Sequence, residues 1–201
     1  MKKVLLIASL FPFFFAGQAA VAGDAAAGQT KAASCAACHG MDGNSAAPNF
    51  PKLAGQAESY TVKQLQDFKA GNRTDPTMNA MAMALSETDM ADIAAYYAGQ
   101  TGSTGTAAAD QVELGELIYR AGNASSGVAA CAACHGPTGS GNPQAGFPKV
   151  SGQHAQYTEA QLNNFRKAAR ANDAGSMMRV VAGKMSDAEI AAVSQYIQGL
   201  R

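Results

Sequence analysis

Two copies of one five-residue motif constrain this chain more than any other feature. Cys35-Ala36-Ala37-Cys38-His39 recurs as Cys131-Ala132-Ala133-Cys134-His135, and the chain has no other cysteine. A Cys-x-x-Cys-His motif is typical of covalent c-type haem attachment. Its two thiols lie on one helical turn and can each form a thioether with a haem vinyl group, while the adjacent imidazole reaches the iron. The two copies predict two covalently bound haem c groups.

Cysteine pairs also occur in disulfides, zinc sites and redox dithiols, which are the alternatives to haem here. None of these requires a histidine directly after each pair, and in this chain a histidine and then a glycine follow both pairs. Haem attachment explains the whole motif. We therefore assign the thioether bonds to Cys35, Cys38, Cys131 and Cys134, and one axial position of each iron to His39 and His135.

Residues 1–22 have the features of a secretory signal peptide. Lys2 and Lys3 form a basic start, residues 4–16 are apolar, and Ala20-Val21-Ala22 is a small-residue cleavage site. The apolar stretch is shorter than the roughly 20 residues of a membrane span, so cleavage is favoured over an uncleaved anchor. We expect export to the periplasm, where bacteria attach c-type haem, and a mature chain that starts near Gly23.

The charge of the mature chain is close to balanced. Without Lys2 and Lys3, 13 basic residues stand against 15 acidic ones. Nucleic-acid binding has no support in such a composition. Residues 24–100 hold 5 basic and 8 acidic residues, whereas residues 101–201 hold 8 and 7. An asymmetry of this kind can orient a protein partner during encounter.

Similarity between the two halves extends well beyond the motif. Residues 50–56 match residues 147–153, and Ser86 with Tyr96 matches Ser186 with Tyr196. This is a tandem duplication. We predict a signal peptide at 1–22, one domain at 23–100, a linker rich in Gly, Thr, Ser and Ala at 101–109, and a second domain at 110–201.

The pattern within each copy predicts an all-α fold with a haem-attachment helix, a long loop, a middle helix, a second loop and a terminal helix. Apolar residues recur at helical spacing behind four apparent capping boxes, and strand signals are absent. The boxes pair Thr61 with Gln64, Ser86 with Asp89, Thr158 with Gln161, and Ser186 with Glu189.

The second axial ligand of each iron is predicted to be methionine. Met78 lies eight residues before Ser86, and Met178 lies eight before Ser186, so these two methionines are equivalent in the repeat. Met177 stays an alternative to Met178, because adjacent loop residues are hard to separate by sequence. Methionine opposite histidine favours electron transfer at a raised potential. The remaining histidine, His154, has no equivalent in the first copy and is interpreted as a surface residue.

Conserved positions of the repeat also suggest supporting groups around each haem. A backbone carbonyl near Pro51 and near Pro148 should accept the Nδ1 hydrogen of the ligand histidine. Arg73 and Arg170 are expected either to bond haem propionates or to be solvated. The four tyrosines of the repeat are expected to line the haem pockets: Tyr60, Tyr96, Tyr157 and Tyr196.

Together these motifs resemble the cytochrome c4 family of dihaem class I cytochromes c. The resemblance covers the Gly-Asp-Ala start, both Cys-Ala-Ala-Cys-His motifs, residues 49–56, residues 145–149 and residues 186–200. It implies two tandem class I cytochrome c domains, each wrapped around one covalent haem, with hydrogen-bonded propionates near the interface and His/Met ligation at both irons. It also implies single-electron transfer toward a haem-copper terminal oxidase, with loose membrane association.

The function expected from this resemblance is electron transport without catalysis. Electrons would come from a quinol-oxidising complex or small electron donors, and we expect a monomer. Two alternatives stay open. One is a dihaem peroxidase-type enzyme or dehydrogenase subunit, which would need an open coordination site; the other is a cytochrome subunit of a larger redox complex.

Overall fold

The computed structural model describes residues 22–201, so the predicted signal peptide lies almost wholly outside the described residues. Within that range the fold is all-α, as predicted, apart from two isolated β-bridges, Asn123 to Val128 and Asn142 to Phe147. Among these described residues, each domain contributes five α-helices. The first set is α1 (Ala25–Lys31), α2 (Ala36–His39), α3 (Glu58–Ala70), α4 (Pro76–Met83) and α5 (Glu87–Ala98). The second set is α6 (Ala109–Ala121), α7 (Ala132–His135), α8 (Ala155–Arg166), α9 (Met177–Ala182) and α10 (Asp187–Gly199).

The two terminal helices begin as predicted, whereas the two middle helices begin earlier. Ser86 and Ser186 each cap their helix through a reciprocal capping box, with Asp89 and Glu189. The middle helices instead begin at Glu58 and Ala155, without a side-chain cap. The predicted boxes at Thr61 and Thr158 are therefore wrong. Both residues lie inside the first turns, and the Thr158 hydroxyl donates to the carbonyl of His154, four residues earlier.

Each domain contains an N-terminal helix that the sequence pattern did not predict. α1 packs across α5, and α6 packs across α10. Glycine permits the close approach at both crossings: a Cβ atom on Gly28 would lie 1.9 Å from the carbonyl oxygen of Asp92, and one on Gly115 would lie 2.3 Å from that of Ala192. These contacts are far shorter than packed atoms allow. In each domain, one such crossing packs the N-terminal helix against the terminal helix, next to the haem-attachment motif.

The methionine-bearing segment of each domain is a short helix and not the predicted loop. α4 is capped by Asp75, whose side chain accepts the backbone N–H of Met78 at 2.9 Å. The equivalent α9 begins after Ser176, which has a left-handed backbone conformation. Ala82 and Ala182 are both fully buried, so the two helices share one register relative to their domains.

Candidate haem-binding sites and domain interface

The histidine of each motif is held in one orientation by a proline carbonyl from the loop that follows. His39 Nδ1 lies 2.9 Å from the carbonyl oxygen of Pro51, and His135 Nδ1 lies 2.9 Å from that of Pro148. A carbonyl can only accept, so Nδ1 carries the hydrogen and Nε2 keeps its lone pair in the neutral ring. This fixes the tautomer that an iron ligand needs, as the sequence predicted.

Burial keeps both imidazoles and the first thiol of each motif neutral. It lowers the pKa of His39 and of His135, against an opposing effect of the proline carbonyl hydrogen bonds. Neutral imidazole is the form that binds a metal. Burial raises the pKa of the Cys35 thiol, and it raises that of Cys131 to about 11. A reactive redox dithiol needs the opposite shift, so these environments argue against a dithiol-exchange site.

The donor set in each domain fits a haem better than a bare metal ion. The four cysteines form no disulfide with one another. Across residues 22–201, no three side chains from His, Cys, Asp and Glu lie close enough together to hold a metal ion. A structural zinc site needs four such ligands. One imidazole beside two thiols on a single turn instead matches haem c, which brings four iron ligands of its own.

The candidate methionine ligands differ in exposure in a way the sequence could not resolve. Met78 and Met178 are both half-buried. Met178 packs against the buried core of the second domain, whereas the side chain of its neighbour Met177 is 44% exposed. In α4, the remaining methionines Met81 and Met83 are exposed. Among the methionines of α4 and α9, Met78 and Met178 are thus the less exposed ones, and the two occupy equivalent positions.

The two arginines at equivalent positions of the repeat lie buried in the interface between the domains, so the expectation of solvated arginines is wrong. Arg73 is 9% exposed and donates to Gln64 of its own domain. It also donates to Tyr157 Oη at 2.9 Å and Gln161 Oε1 at 3.0 Å in the other domain. Arg170 makes the mirror-image contacts, with Gln161 in its own domain and Tyr60 and Gln64 across the interface. A role in binding haem propionates stays a prediction.

The same interface adds contacts for two tyrosines and corrects the expectation for one histidine. The hydroxyls of Tyr60 and Tyr157 each accept a hydrogen bond from the arginine of the opposite domain, which the pocket-lining prediction did not include. His154 is half-buried, and its Nε2 lies 2.9 Å from the carbonyl oxygen of Ser45 in the first domain. Its interpretation as a surface residue is wrong. No sequence signal within one copy could reveal contacts between copies.

Comparisons with known proteins agree with this arrangement. The family model for cytochrome c matches twice, over residues 25–99 and 114–201. A cytochrome c4 from Azotobacter vinelandii is 51% identical, with all of both chains covered. The crystal structure of reduced recombinant cytochrome c4 from Pseudomonas stutzeri superposes with a TM-score of 0.87 at 52% identity, covering 90% of this chain and all of that one.

The chain belongs to the cytochrome c4 family. As a cytochrome c4 it carries two haem c groups, covalently bound through Cys35 with Cys38 and Cys131 with Cys134, and it is a dihaem electron-transfer protein. A more distant relative from Thiomonas intermedia, 37% identical over 98% of this chain and 90% of its own, is named a thiosulfate dehydrogenase electron acceptor.

Proposed function

We propose that this cytochrome c4 is a periplasmic carrier that passes single electrons between respiratory redox partners, toward a terminal oxidase, and catalyses no reaction of its own. When bound, the two haem groups would supply one-electron redox chemistry. The observation that carries the proposal is the presence, in both domains, of a carbonyl-oriented histidine and of a half-buried methionine at the equivalent position of α4 or α9. Two protein ligands held in this way would leave no coordination site on the iron for a substrate.

We assign the axial ligands as His39 with Met78 and His135 with Met178. The proline carbonyls hold the imidazoles, and a capped helix holds Met78 through the Asp75 side chain. Because these supports come from the backbone and short helices packed on the core, the ligands need to move little when the charge on the iron changes. A site of this kind suits rapid electron transfer and the raised potential that methionine gives.

The ligand assignment is tested by replacing one methionine at a time. We expect Met78→Ala and Met178→Ala each to abolish about half of the near-infrared band that marks thioether-ligated ferric haem, since each changes one haem of two. Each variant should also lower the potential of that haem. Met81→Ala and Met177→Ala are matched controls from the same helices and should leave the band intact. Loss of half the band in Met177→Ala, with Met178→Ala unaffected, would move the ligand by one residue.

The peroxidase-type alternative needs an iron with an open position. We expect no turnover of hydrogen peroxide by the intact dihaem protein and no high-spin signal from either haem. Met78→Ala and Met178→Ala serve as positive controls, because each opens one site. Turnover by the unmodified protein would make the enzymatic alternative the better one.

The proposed partners and location are tested together. The precursor should be cleaved near Gly23 and the mature protein recovered from the periplasmic fraction. Reduced protein should be oxidised by membranes that contain a haem-copper oxidase, at a rate that falls with ionic strength. The name of the Thiomonas relative adds a thiosulfate dehydrogenase to the quinol-oxidising complexes and small donors as a candidate donor. Stable copurification with an oxidase would instead favour a fixed subunit.

A further inference from the structure

A single peptide group connects the proximal histidine of each domain to a glutamine of the other domain. The carbonyl oxygen of Pro51 accepts the hydrogen bond from His39 Nδ1 at 2.9 Å. The N–H of the same peptide group belongs to Lys52, and it donates to Gln153 Oε1 in the second domain at 2.9 Å. The peptide is trans, so its oxygen and its hydrogen point to opposite sides. His39 and Gln153 therefore lie on opposite edges of one peptide.

The second domain repeats this arrangement in reverse. His135 Nδ1 donates to the carbonyl oxygen of Pro148 at 2.9 Å, and the N–H of Lys149 in that peptide donates to Gln56 Oε1 in the first domain at 3.0 Å. Gln56 is itself buried, at 8% exposure. Each glutamine thus contacts the peptide that supports the other domain's iron ligand.

Both glutamine amides are fixed by further hydrogen bonds. Gln153 Nε2 donates to the carbonyl oxygen of Lys52 at 3.0 Å, and Gln56 Nε2 donates to that of Lys149 at 2.9 Å. Within its own domain, Gln153 Oε1 also accepts the N–H of His154. Gln56 Oε1 accepts the N–H of Ala57 in the same way. Each amide therefore has a defined orientation, with its oxygen toward the lysine N–H.

From this geometry we infer that Gln56 and Gln153 are positioning residues that tune the reduction potential of the haem in the opposite domain. A peptide whose N–H is hydrogen-bonded becomes a stronger acceptor at its carbonyl oxygen, because hydrogen bonds in a chain polarise one another. A stronger acceptor on Nδ1–H makes the imidazole a more basic iron ligand, which favours the oxidised iron. Docking of the two domains therefore lowers the potential of both haems.

The inference rests on the proposed ligation by His39 and His135. The experiment changes a glutamine in one domain and measures the reduction potential of the haem in the other. In Gln153→Leu, we expect the equilibrium constant for reduction of the first-domain haem to rise by about two- to fivefold. A tenfold change in this constant corresponds to about 59 mV for one electron. Gln56→Leu should produce the same shift in the second-domain haem. Each potential is followed through haem methyl NMR signals, assigned to a domain by their contacts with its residues.

Gln64→Leu and Gln161→Leu are the matched controls. These residues accept interface hydrogen bonds from Arg73 and Arg170, and among the described residues they form no hydrogen bond with either histidine-supporting peptide. We expect these two variants to leave the reduction potential of the haem in the opposite domain unchanged. Gln153→Glu keeps an accepting oxygen for the Lys52 N–H and should return the potential of the first-domain haem to the original value or below at high salt.

The possible results separate tuning from general loosening of the interface. A shift of the haem in the mutated domain itself, or equal shifts in the glutamine variants and the controls, would overturn the inference. Unchanged potentials in Gln56→Leu and Gln153→Leu would do the same. The near-infrared band of the unmodified protein checks the ligation separately, so a failure of the proposed ligands is distinguished from a failure of the cross-domain effect.

Discussion

The two domains form the same helix crossing beside the haem motif by different chemistry. In the first domain, Lys31 Nζ lies 2.7 Å from Asp89 Oδ1 and 2.6 Å from Asp92 Oδ2, which ties α1 to α5. At the positions equivalent to Lys31 and Asp92, the second domain has Ile118 and Ala192, both buried. One crossing is held by ion pairs and the other by apolar packing. In both domains the two helices approach closely at this crossing, and either ion pairs or apolar packing can hold them together.

The aromatic residue next to the first motif cysteine also comes from different helices. Tyr97 on α5 packs in the cluster that includes Cys35, whereas Tyr119 on α6 packs in the cluster that includes Cys131. The residue of the second domain equivalent to Tyr97 is Ile197. The tyrosine beside the first motif cysteine is thus on the terminal helix in the first domain and on the N-terminal helix in the second. Equivalent positions in the repeat therefore need not have the same role.

A loop that follows α6 enlarges the second domain. Two residues separate Ala32 from Cys35, whereas eleven separate the equivalent Tyr119 from Cys131. In the added segment, Asn123 and Val128 form a β-bridge, and Asn123 Nδ2 donates to Glu189 Oε1 at 2.7 Å. The buried Val128 joins the apolar core. The second domain therefore relies more on apolar burial than the first does.

The strongest test of this contrast is to prevent the close approach in each domain. Gly28→Ala and Gly115→Ala would place a Cβ atom against a backbone carbonyl and should each cost about 3 kcal/mol of stability. Because α1 is short and tied by ion pairs, we expect Gly28→Ala to release α1 locally. Gly115→Ala should destabilise the whole second domain, since α6 contributes to its main core. Denaturant unfolding and amide hydrogen exchange distinguish the two outcomes.

Gly99→Ala is the control for both substitutions. Gly99 follows α5 with an ordinary backbone conformation, and a Cβ there would make normal contacts at 3.6 Å and beyond. The free energy of unfolding of the Gly99→Ala variant should differ from that of the unmodified protein by less than about 0.5 kcal/mol. Equal global loss in Gly28→Ala and Gly115→Ala would contradict the proposed difference between the crossings.

A smaller effect is expected from removing the two exchanged hydroxyls. Tyr119 Oη donates to the carbonyl oxygen of Gly136, beside the iron ligand His135, at 2.7 Å. Tyr97 Oη is buried without a hydrogen-bond partner among residues 22–201. We expect Tyr119→Phe to cost about 1 kcal/mol and Tyr97→Phe to cost less or nothing. Thermal unfolding of the two variants measures the difference, and equal losses would show that the hydroxyls are equivalent.

The smallest expected effect concerns acid stability. Hydrogen bonds from Lys31 lower the pKa of Asp89 and of Asp92. A lowered carboxyl pKa stabilises the fold above its ordinary value of about 3.9, and this contribution is lost as the pH falls through the lowered pKa. The first domain should therefore lose stability below about pH 4. Lys31→Ile combined with Asp92→Ala, which reproduces the second domain's crossing, should reduce this acid dependence.

The control for the acid experiment is Arg120→Gln. Arg120 pairs with Glu116 one turn away on α6, and both side chains are exposed, so this ion pair should contribute little. Its acid unfolding curve, followed by haem absorption and circular dichroism, should match that of the unmodified protein. An unchanged curve in the double variant would show that Lys31 does not set the acid stability of the first domain.

Local chemistry made much of this protein predictable from its sequence. The Cys-x-x-Cys-His motifs gave the haem sites, and the serine capping boxes placed the starts of α5 and α10. The repeat register paired Met78 with Met178. Each of these signals either spans only a few residues or recurs at a fixed spacing. Such signals can be recognised in the sequence without knowledge of the tertiary structure.

What the sequence did not reveal concerns mainly groups whose partners lie far along the chain. Arg73 finds Tyr157, His154 finds Ser45, and Gln153 finds Lys52 only after the two domains have docked. Helix α3 begins at Glu58 without a side-chain cap, and not at the Thr61 signal. By itself the sequence determined the cofactors, the duplication and the all-α class. Only the tertiary structure decided how the domains face each other, because hydrogen bonds between buried groups depend on distances in space and not on spacing in the chain.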